Sequence, residues 1–126
     1  MNDINAISGW AGMLAGVVSG AAVGLGFHQD HWLGGYASWR RRMVRLGHIA
    51  FFGIGILNIL YGVTIATLGW GVRWQIGSWT LALAGVLMPA TCFLAAWRKP
   101  LRHLFVVPVL CVVIGIGGLL IGRILT

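Results

Sequence analysis

The sequence predicts an all-α integral membrane protein with four transmembrane helices in an up-down bundle. Composition is the first observation behind this prediction: 59% of the residues are hydrophobic, 9% are charged, and the mean hydropathy is +0.90. Soluble domains carry roughly 25% charged residues, so this chain has too few to cover the surface of a soluble fold. The second observation is a set of long apolar runs without period-two alternation, which favours helices over barrel strands.

Four apolar segments are long enough to cross about 30 Å of hydrocarbon, which takes roughly 20 residues in a helix. The predicted spans are residues 9–27, 46–70, 76–97 and 104–125, and they make the whole chain, 1–126, one membrane domain. The first span follows MNDINAISGW, which has no Lys or Arg, so we expect it to be retained and not cleaved as a signal peptide. The short connection GVRWQ predicts a tight antiparallel hairpin of the second and third spans.

The basic residues predict the orientation, because cytoplasmic loops carry an excess of Lys and Arg. Arg73 and Arg123 fall on one side of the membrane, and the other seven basic residues fall in the first and third connections: Arg40, Arg41, Arg42, Arg45, Arg98, Lys99 and Arg102. We therefore expect both basic loops in the cytoplasm and both termini outside, in the periplasm of a cell with a bacterial-type inner membrane. Orientation explains the net charge of +7, so we expect no nucleic-acid partner.

Small residues form rows along the predicted helices. The chain has 20 glycines, and GxxxG spacing lets two helix backbones approach closely in a membrane. An alternative is that the glycines make room for a flat cofactor. Asn58, near the middle of the second span, predicts a hydrogen bond to another helix. The glycines of these rows are Gly12, Gly16, Gly20 and Gly24 in the first span, Gly55, Gly62 and Gly69 in the second, and Gly118 and Gly122 in the fourth.

All four histidines fall at the predicted cytoplasmic ends of the spans: His28, His31, His48 and His103. Asp30, the one acid beyond the N-terminal tail, lies among them. Three interpretations stay open. The histidines are interfacial residues at headgroup depth, or axial ligands of a haem, or ligands of a metal ion.

The haem interpretation takes two ligands from His28, His48 and His103, because haem iron accepts axial imidazoles. Arg42 and Arg45 would then pair with the propionates of a b-type haem. The metal interpretation takes its ligands from the first connection and the start of the second span, because imidazole is a common ligand of Zn, Cu, Fe and Ni. Its ligands would be His28, Asp30, His31 and His48.

The leading functional hypothesis is a small accessory or structural subunit of a larger membrane complex, of respiratory or photosynthetic electron transfer. The alternative is a small membrane b-type cytochrome-like electron carrier, and a third is an oligomeric channel or transporter. No charged residue occupies a span centre, which argues against ion-coupled transport. The sequence has no nucleophile motif, phosphate loop or paired carboxylates, so we expect no catalytic activity of its own. Cys92 and Cys111 lie within apolar segments, as small buried residues do.

Overall fold

The computed structural model describes residues 3–70 and 75–125, and within them it contains helices and no strand. Four α-helices follow one another along the chain: α1 (Asp3–Phe27), α2 (Trp39–Leu68), α3 (Gln75–Trp97) and α4 (Val106–Ile124). Each lies in a segment long and apolar enough to cross a membrane. The all-helical class and the four apolar helices are confirmed, and the chain is a multi-pass membrane protein in contact with lipid. The connection that contains Arg73 and Trp74 lies outside the described residues.

α1 and α2 begin before their predicted spans, because hydropathy marks only the part that crosses hydrocarbon. α1 begins at Asp3 instead of residue 9, and α2 begins at Trp39 instead of residue 46. By contrast, α2 ends at Leu68 instead of residue 70, and α4 begins at Val106 instead of residue 104. Ser38 caps α2, since its side chain accepts a hydrogen bond of 3.2 Å from the backbone N–H of Arg41. The arginine run therefore lies in the first turns of a helix and not in a loop.

A glycine follows the end of α2, and a proline follows the end of α3. Gly69 adopts the left-handed conformation (φ 67°) after α2, and its N–H donates to the Ile65 carbonyl at 3.1 Å. Gly69 therefore ends the helix, as a residue without a Cβ does at this position. Pro100 follows α3 and opens a short 3₁₀-helix, Lys99–Phe105, that leads into α4.

The helices pack in a consecutive order with α2 and α3 at the centre. α2 packs on both α1 and α3, α3 also touches α1, and α4 packs on α3 and on the 3₁₀ segment before it. Among the described residues α4 makes at most marginal contact with α1 and α2. At the end of the bundle opposite the arginine run 40–42, the Arg123 Cζ of α4 lies 5.8 Å from the ring centroid of Trp70. The fold is thus a three-helix core with α4 on its outside.

Glycines bring α1 and α2 together. A Cβ added at Gly9 would lie 2.7 Å from the Gly55 carbonyl oxygen, and one added at Gly12 would lie 3.3 Å from the Phe51 carbonyl oxygen. Gly16 faces the Phe52 ring, where an added Cβ would lie 2.9 Å from Cδ2. A side chain at these positions would separate the helices.

The remaining glycines of the predicted rows have different surroundings. Gly62 faces Asn5, whose Cβ would be 3.3 Å from an added Cβ, and Gly122 is buried on α4. Gly24 and Gly118 have nothing within 4 Å of an added Cβ in the part of the chain that the structure describes. Gly20 faces the imidazole of His48.

The close approach of α3 and α4 uses a glycine pair that the spacing rules do not single out. A Cβ added at Gly77 would lie 3.3 Å from the Gly115 carbonyl oxygen, and one added at Gly115 would lie 3.2 Å from the Gly77 carbonyl oxygen. Neither glycine has another four residues away. The role of this glycine pair in helix packing therefore follows only from how α3 and α4 cross.

Two asparagines connect the three core helices. Asn5 Nδ2 donates to Asn58 Oδ1 at 2.8 Å and to the Ser78 carbonyl at 3.3 Å. Asn58 Nδ2 donates to the carbonyls of Ile54 and Leu81, each at 3.0 Å. Both asparagines are fully buried. Asn58 thus has a hydrogen-bond partner on another helix. That partner, Asn5, lies before the first predicted span.

We expect Asn58→Ala to destabilise the protein by about 1–3 kcal/mol, because it removes the partner of the buried Asn5 amide on α1 and the hydrogen bond to the Leu81 carbonyl of α3. Denaturant unfolding of the purified protein in detergent, followed by circular dichroism, measures this. Thr64→Ala is the matched control, since the Thr64 hydroxyl bonds only the Leu60 carbonyl of its own helix, at 2.7 Å. Equal stability of the Asn58→Ala and Thr64→Ala proteins would contradict the proposed role of the amide.

Candidate functional site

Arg41 lies in the arginine-rich end of the bundle, the basic end, whose basic residues are Arg40, Arg41, Arg42, Arg45, Arg98, Lys99 and Arg102. It is 3% exposed and is the only buried cation among the described residues. Its Nη2 donates to the Phe27 carbonyl at 3.0 Å and its Nη1 donates to the Asp30 carbonyl at 3.3 Å. Phe27 is the last residue of α1. Carbonyls at a helix C-terminus lack partners within the helix and carry partial negative charge, so a guanidinium stabilises them.

Aromatic rings surround the same guanidinium. The Arg41 Cζ lies 4.5 Å from the ring centroid of Phe27, 5.8 Å from that of Trp32 and 5.6 Å from that of Tyr36. Arg45, one turn further along α2, lies 4.7 Å from the Tyr36 ring. Cation–π attraction of this kind stabilises by about 0.5–2 kcal/mol for each ring. Arg41 and Arg45 therefore hold the connection 28–38 on the start of α2.

The connection itself turns sharply before it enters α2. Leu33 has a positive φ of 54°, and Gly34 and Gly35 follow at 88° and 94°. The Ser38 hydroxyl donates to the Leu33 carbonyl at 2.7 Å, which closes the turn. Trp39 then ties the start of α2 to the end of α3, because its Nε1 donates to the Ala95 carbonyl at 2.8 Å.

His48 is the one predicted ligand that lies between helices. Its ring faces Gly20 on α1, where an added Cβ would lie 3.0 Å from Nδ1 and 3.1 Å from Nε2. Nδ1 is 3.4 Å from the Ser19 hydroxyl, and the Phe52 ring meets the imidazole edge-on at 5.4 Å. Gly20 therefore provides the space that the imidazole fills.

The other predicted ligands are not gathered around His48. His28, Asp30 and His31 are exposed in the connection after α1, and His103 is exposed in the 3₁₀ segment before α4. His103 lines a shallow depression with Lys99, Pro100 and Arg102. Across residues 3–70 and 75–125, no three His, Cys, Asp or Glu side chains lie close enough to share a metal ion. The four-residue metal set is thus not assembled.

The three predicted haem ligands have different surroundings. His48 is half-buried with its ring against Gly20 of α1, whereas His28 and His103 are exposed. Of the two predicted propionate partners, Arg42 is exposed and Arg45 lies over Tyr36.

An open groove lies between the connection 28–38 and the end of α3. Its outer part has a volume of about 460 Å³ and its inner part about 250 Å³. Both parts share Leu33, Arg40, Ala96 and Trp97. The outer part adds Gly34, Ser38, Trp39 and Lys99, and the inner part adds Val44 and Phe93. The sequence places Arg40 and Lys99 in the first and third connections, and nothing in their spacing indicates that they line one groove.

We expect Arg41→Lys to loosen the connection 28–38, because an ammonium cannot bond two carbonyls in the fork geometry of a guanidinium. Loss of charge-assisted hydrogen bonds of about 1.5–3 kcal/mol predicts roughly tenfold or faster amide exchange, since about 1.4 kcal/mol corresponds to a factor of ten. Hydrogen exchange with mass spectrometry of peptides covering 28–38 measures it. Arg42→Lys, on the neighbouring exposed residue, is the control, and equal exchange in both variants would contradict the assignment.

Comparison of the chain with protein-family models, with curated proteins and with solved structures found no match.

Proposed function

We propose that this chain is a structural, non-catalytic subunit of a larger membrane complex. The observation that carries the proposal is the position of α4. Within the described residues it packs on α3 and its own leading 3₁₀ segment, with at most marginal contact elsewhere. A helix on the outside of a three-helix core offers most of its surface to lipid or to another protein.

Open glycines on α4 favour another protein over lipid alone. Gly117 and Gly118 have nothing within 4 Å of an added Cβ among the described residues, unlike Gly115, which faces α3. Lipid tails are as apolar as leucine, so apolar surface by itself does not bring helices together in a membrane. Small residues do, because they expose the backbone to close packing. The Gly117–Gly118 face therefore has the character of a helix-packing face on which no other described helix of this chain packs.

The finer part of the proposal concerns the complex and its setting. We place the chain in a respiratory or photosynthetic electron-transfer complex of a bacterial-type inner membrane, with the basic end in the cytoplasm and both termini outside. The seven basic residues of the first and third connections support this orientation. A chain without charge at its span centres adds packing surface to such a complex and supplies no proton path.

We expect the tagged wild-type chain, extracted from its source membrane in mild detergent, to migrate on a native gel far above its own 13.6 kDa. Gly118→Leu should shift it toward the free chain, because a leucine side chain holds a partner helix away. Gly53→Leu is the matched control, since Gly53 likewise has nothing within 4 Å of an added Cβ in the described structure but lies on α2.

The composition of the complex separates the hypotheses. Other polypeptides in stoichiometric amount support a subunit, whereas several copies of this chain alone support the oligomeric channel or transporter. A wild-type chain that migrates as a single free polypeptide would overturn both.

The b-type cytochrome is the alternative hypothesis. His48 contacts Gly20 and Ser19, and the other two predicted haem ligands, His28 and His103, are exposed. We therefore expect the reduced-minus-oxidised visible spectrum of the purified protein to show no haem band. A band at one haem per chain that disappears in His48→Ala would establish the cytochrome instead.

A further inference from the structure

We propose that the groove at the basic end binds an anionic phospholipid, with the phosphate in its outer part and the start of an acyl chain in its inner part. This proposal is independent of the complex proposed above. It rests on the charges that line the groove, on the order of polar and apolar residues along it, and on the rigidity of its walls.

Two free cations line the groove. Arg40 comes from the first turn of α2 and Lys99 from the segment after α3. Neither has a hydrogen-bond or ion-pair partner among residues 3–70 and 75–125. Of the two acids in the chain, Asp30 is the one whose side chain the structure describes, and it lines neither part of the groove. The groove therefore has positive charge that the protein does not neutralise, which suits a phosphate.

The groove changes from polar to apolar toward the membrane centre. Val44 lies four residues, or about one helical turn, beyond Arg40 on α2, and Phe93 lies one turn before Trp97 on α3. Both line only the inner part of the groove, whereas Lys99 and Ser38 line only the outer part. A phospholipid has the same order, with its phosphate outside its acyl chains. A soluble anion would use only the outer part.

Hydrogen bonds hold the walls in place before a ligand binds. The Trp39 indole is bonded to the Ala95 carbonyl at 2.8 Å, and the Ser38 hydroxyl is bonded to the Leu33 carbonyl at 2.7 Å. Trp97 is 79% exposed, so its ring can cover a ligand at headgroup depth, where indoles are favoured. A preformed site of this kind loses little conformational freedom on binding.

The neighbouring cations differ from this pair. Arg41 is buried against carbonyls and rings, and Arg45 lies over Tyr36. Arg42 is exposed but lines neither part of the groove. A site in the groove thus depends on Arg40 and Lys99, whereas diffuse attraction of the basic end for anionic lipid depends equally on every exposed cation. Arg40 and Arg42 form a matched pair, because they have the same charge and lie two residues apart on one helix.

The test is native mass spectrometry of the purified protein in mild detergent, titrated with phosphatidylglycerol and, in parallel, with zwitterionic phosphatidylcholine. We expect wild-type protein to bind one phosphatidylglycerol in clear preference to phosphatidylcholine. A cation near an anionic membrane surface contributes enough that its removal should weaken the phosphatidylglycerol adduct roughly fivefold. We expect this loss in Arg40→Gln and in Lys99→Gln, and wild-type binding in Arg42→Gln. Circular dichroism confirms that each variant keeps its helices.

A second measurement separates a lipid from a soluble anion. Glycerol 1-phosphate should fail to displace the phosphatidylglycerol adduct, and Val44→Trp, which fills the inner part, should weaken the adduct while both cations remain. Equal losses in Arg40→Gln and Arg42→Gln would overturn the proposal in favour of diffuse surface charge. Displacement by glycerol 1-phosphate at concentrations similar to those of the lipid would overturn it in favour of a soluble-anion site.

Discussion

The Arg41 guanidinium is the interaction on which the basic end depends. Its two terminal nitrogens bond the Phe27 and Asp30 carbonyls, and three rings lie within 6 Å of it. The buried Arg41 Nε has no acceptor in the described structure, which costs stability unless other contacts offset it. The rings provide such contacts. Because the connection 28–38 is fixed in this way, Leu33 can form one wall of the groove and Ser38 can cap α2.

Within the membrane, several polar side chains of the helices are hydrogen-bonded within the protein. Water is absent from the hydrocarbon, so a polar side chain there needs a partner in the protein. Asn58 has partners on α1 and α3, and each threonine hydroxyl at depth bonds a carbonyl of its own helix, as Thr91 does with Leu87 at 2.7 Å. Glycines then let α1 approach α2 and α4 approach α3 until backbone atoms touch. Close packing and a few hydrogen bonds, more than apolar burial, hold such helices together.

The structure separates residues that serve the fold from residues with unused capacity. His48, Gly20 and Arg41 are occupied by contacts within the chain. Arg40 and Lys99 in the groove, and Gly117 and Gly118 on α4, have no such contacts among the described residues. Both proposals are built on this second group, one on cations at the membrane surface and the other on a bare helix face. The two proposals depend on different residues and are tested by different variants.

Sequence by itself determined the four helices, because crossing hydrocarbon demands long apolar runs with their polar groups satisfied internally. It also placed Asn58 at a depth where an amide needs an interhelical partner. Only the tertiary structure decided which residues meet: Asn5 with Asn58, His48 with Gly20, and Gly77 with Gly115. The arginine run shows the physical reason. Successive residues on a helix point about 100° apart, so Arg40 lines a groove, Arg41 is buried and Arg42 is exposed. Hydropathy and charge are the same for all three, and only the rotation and crossing of the helices distinguish them.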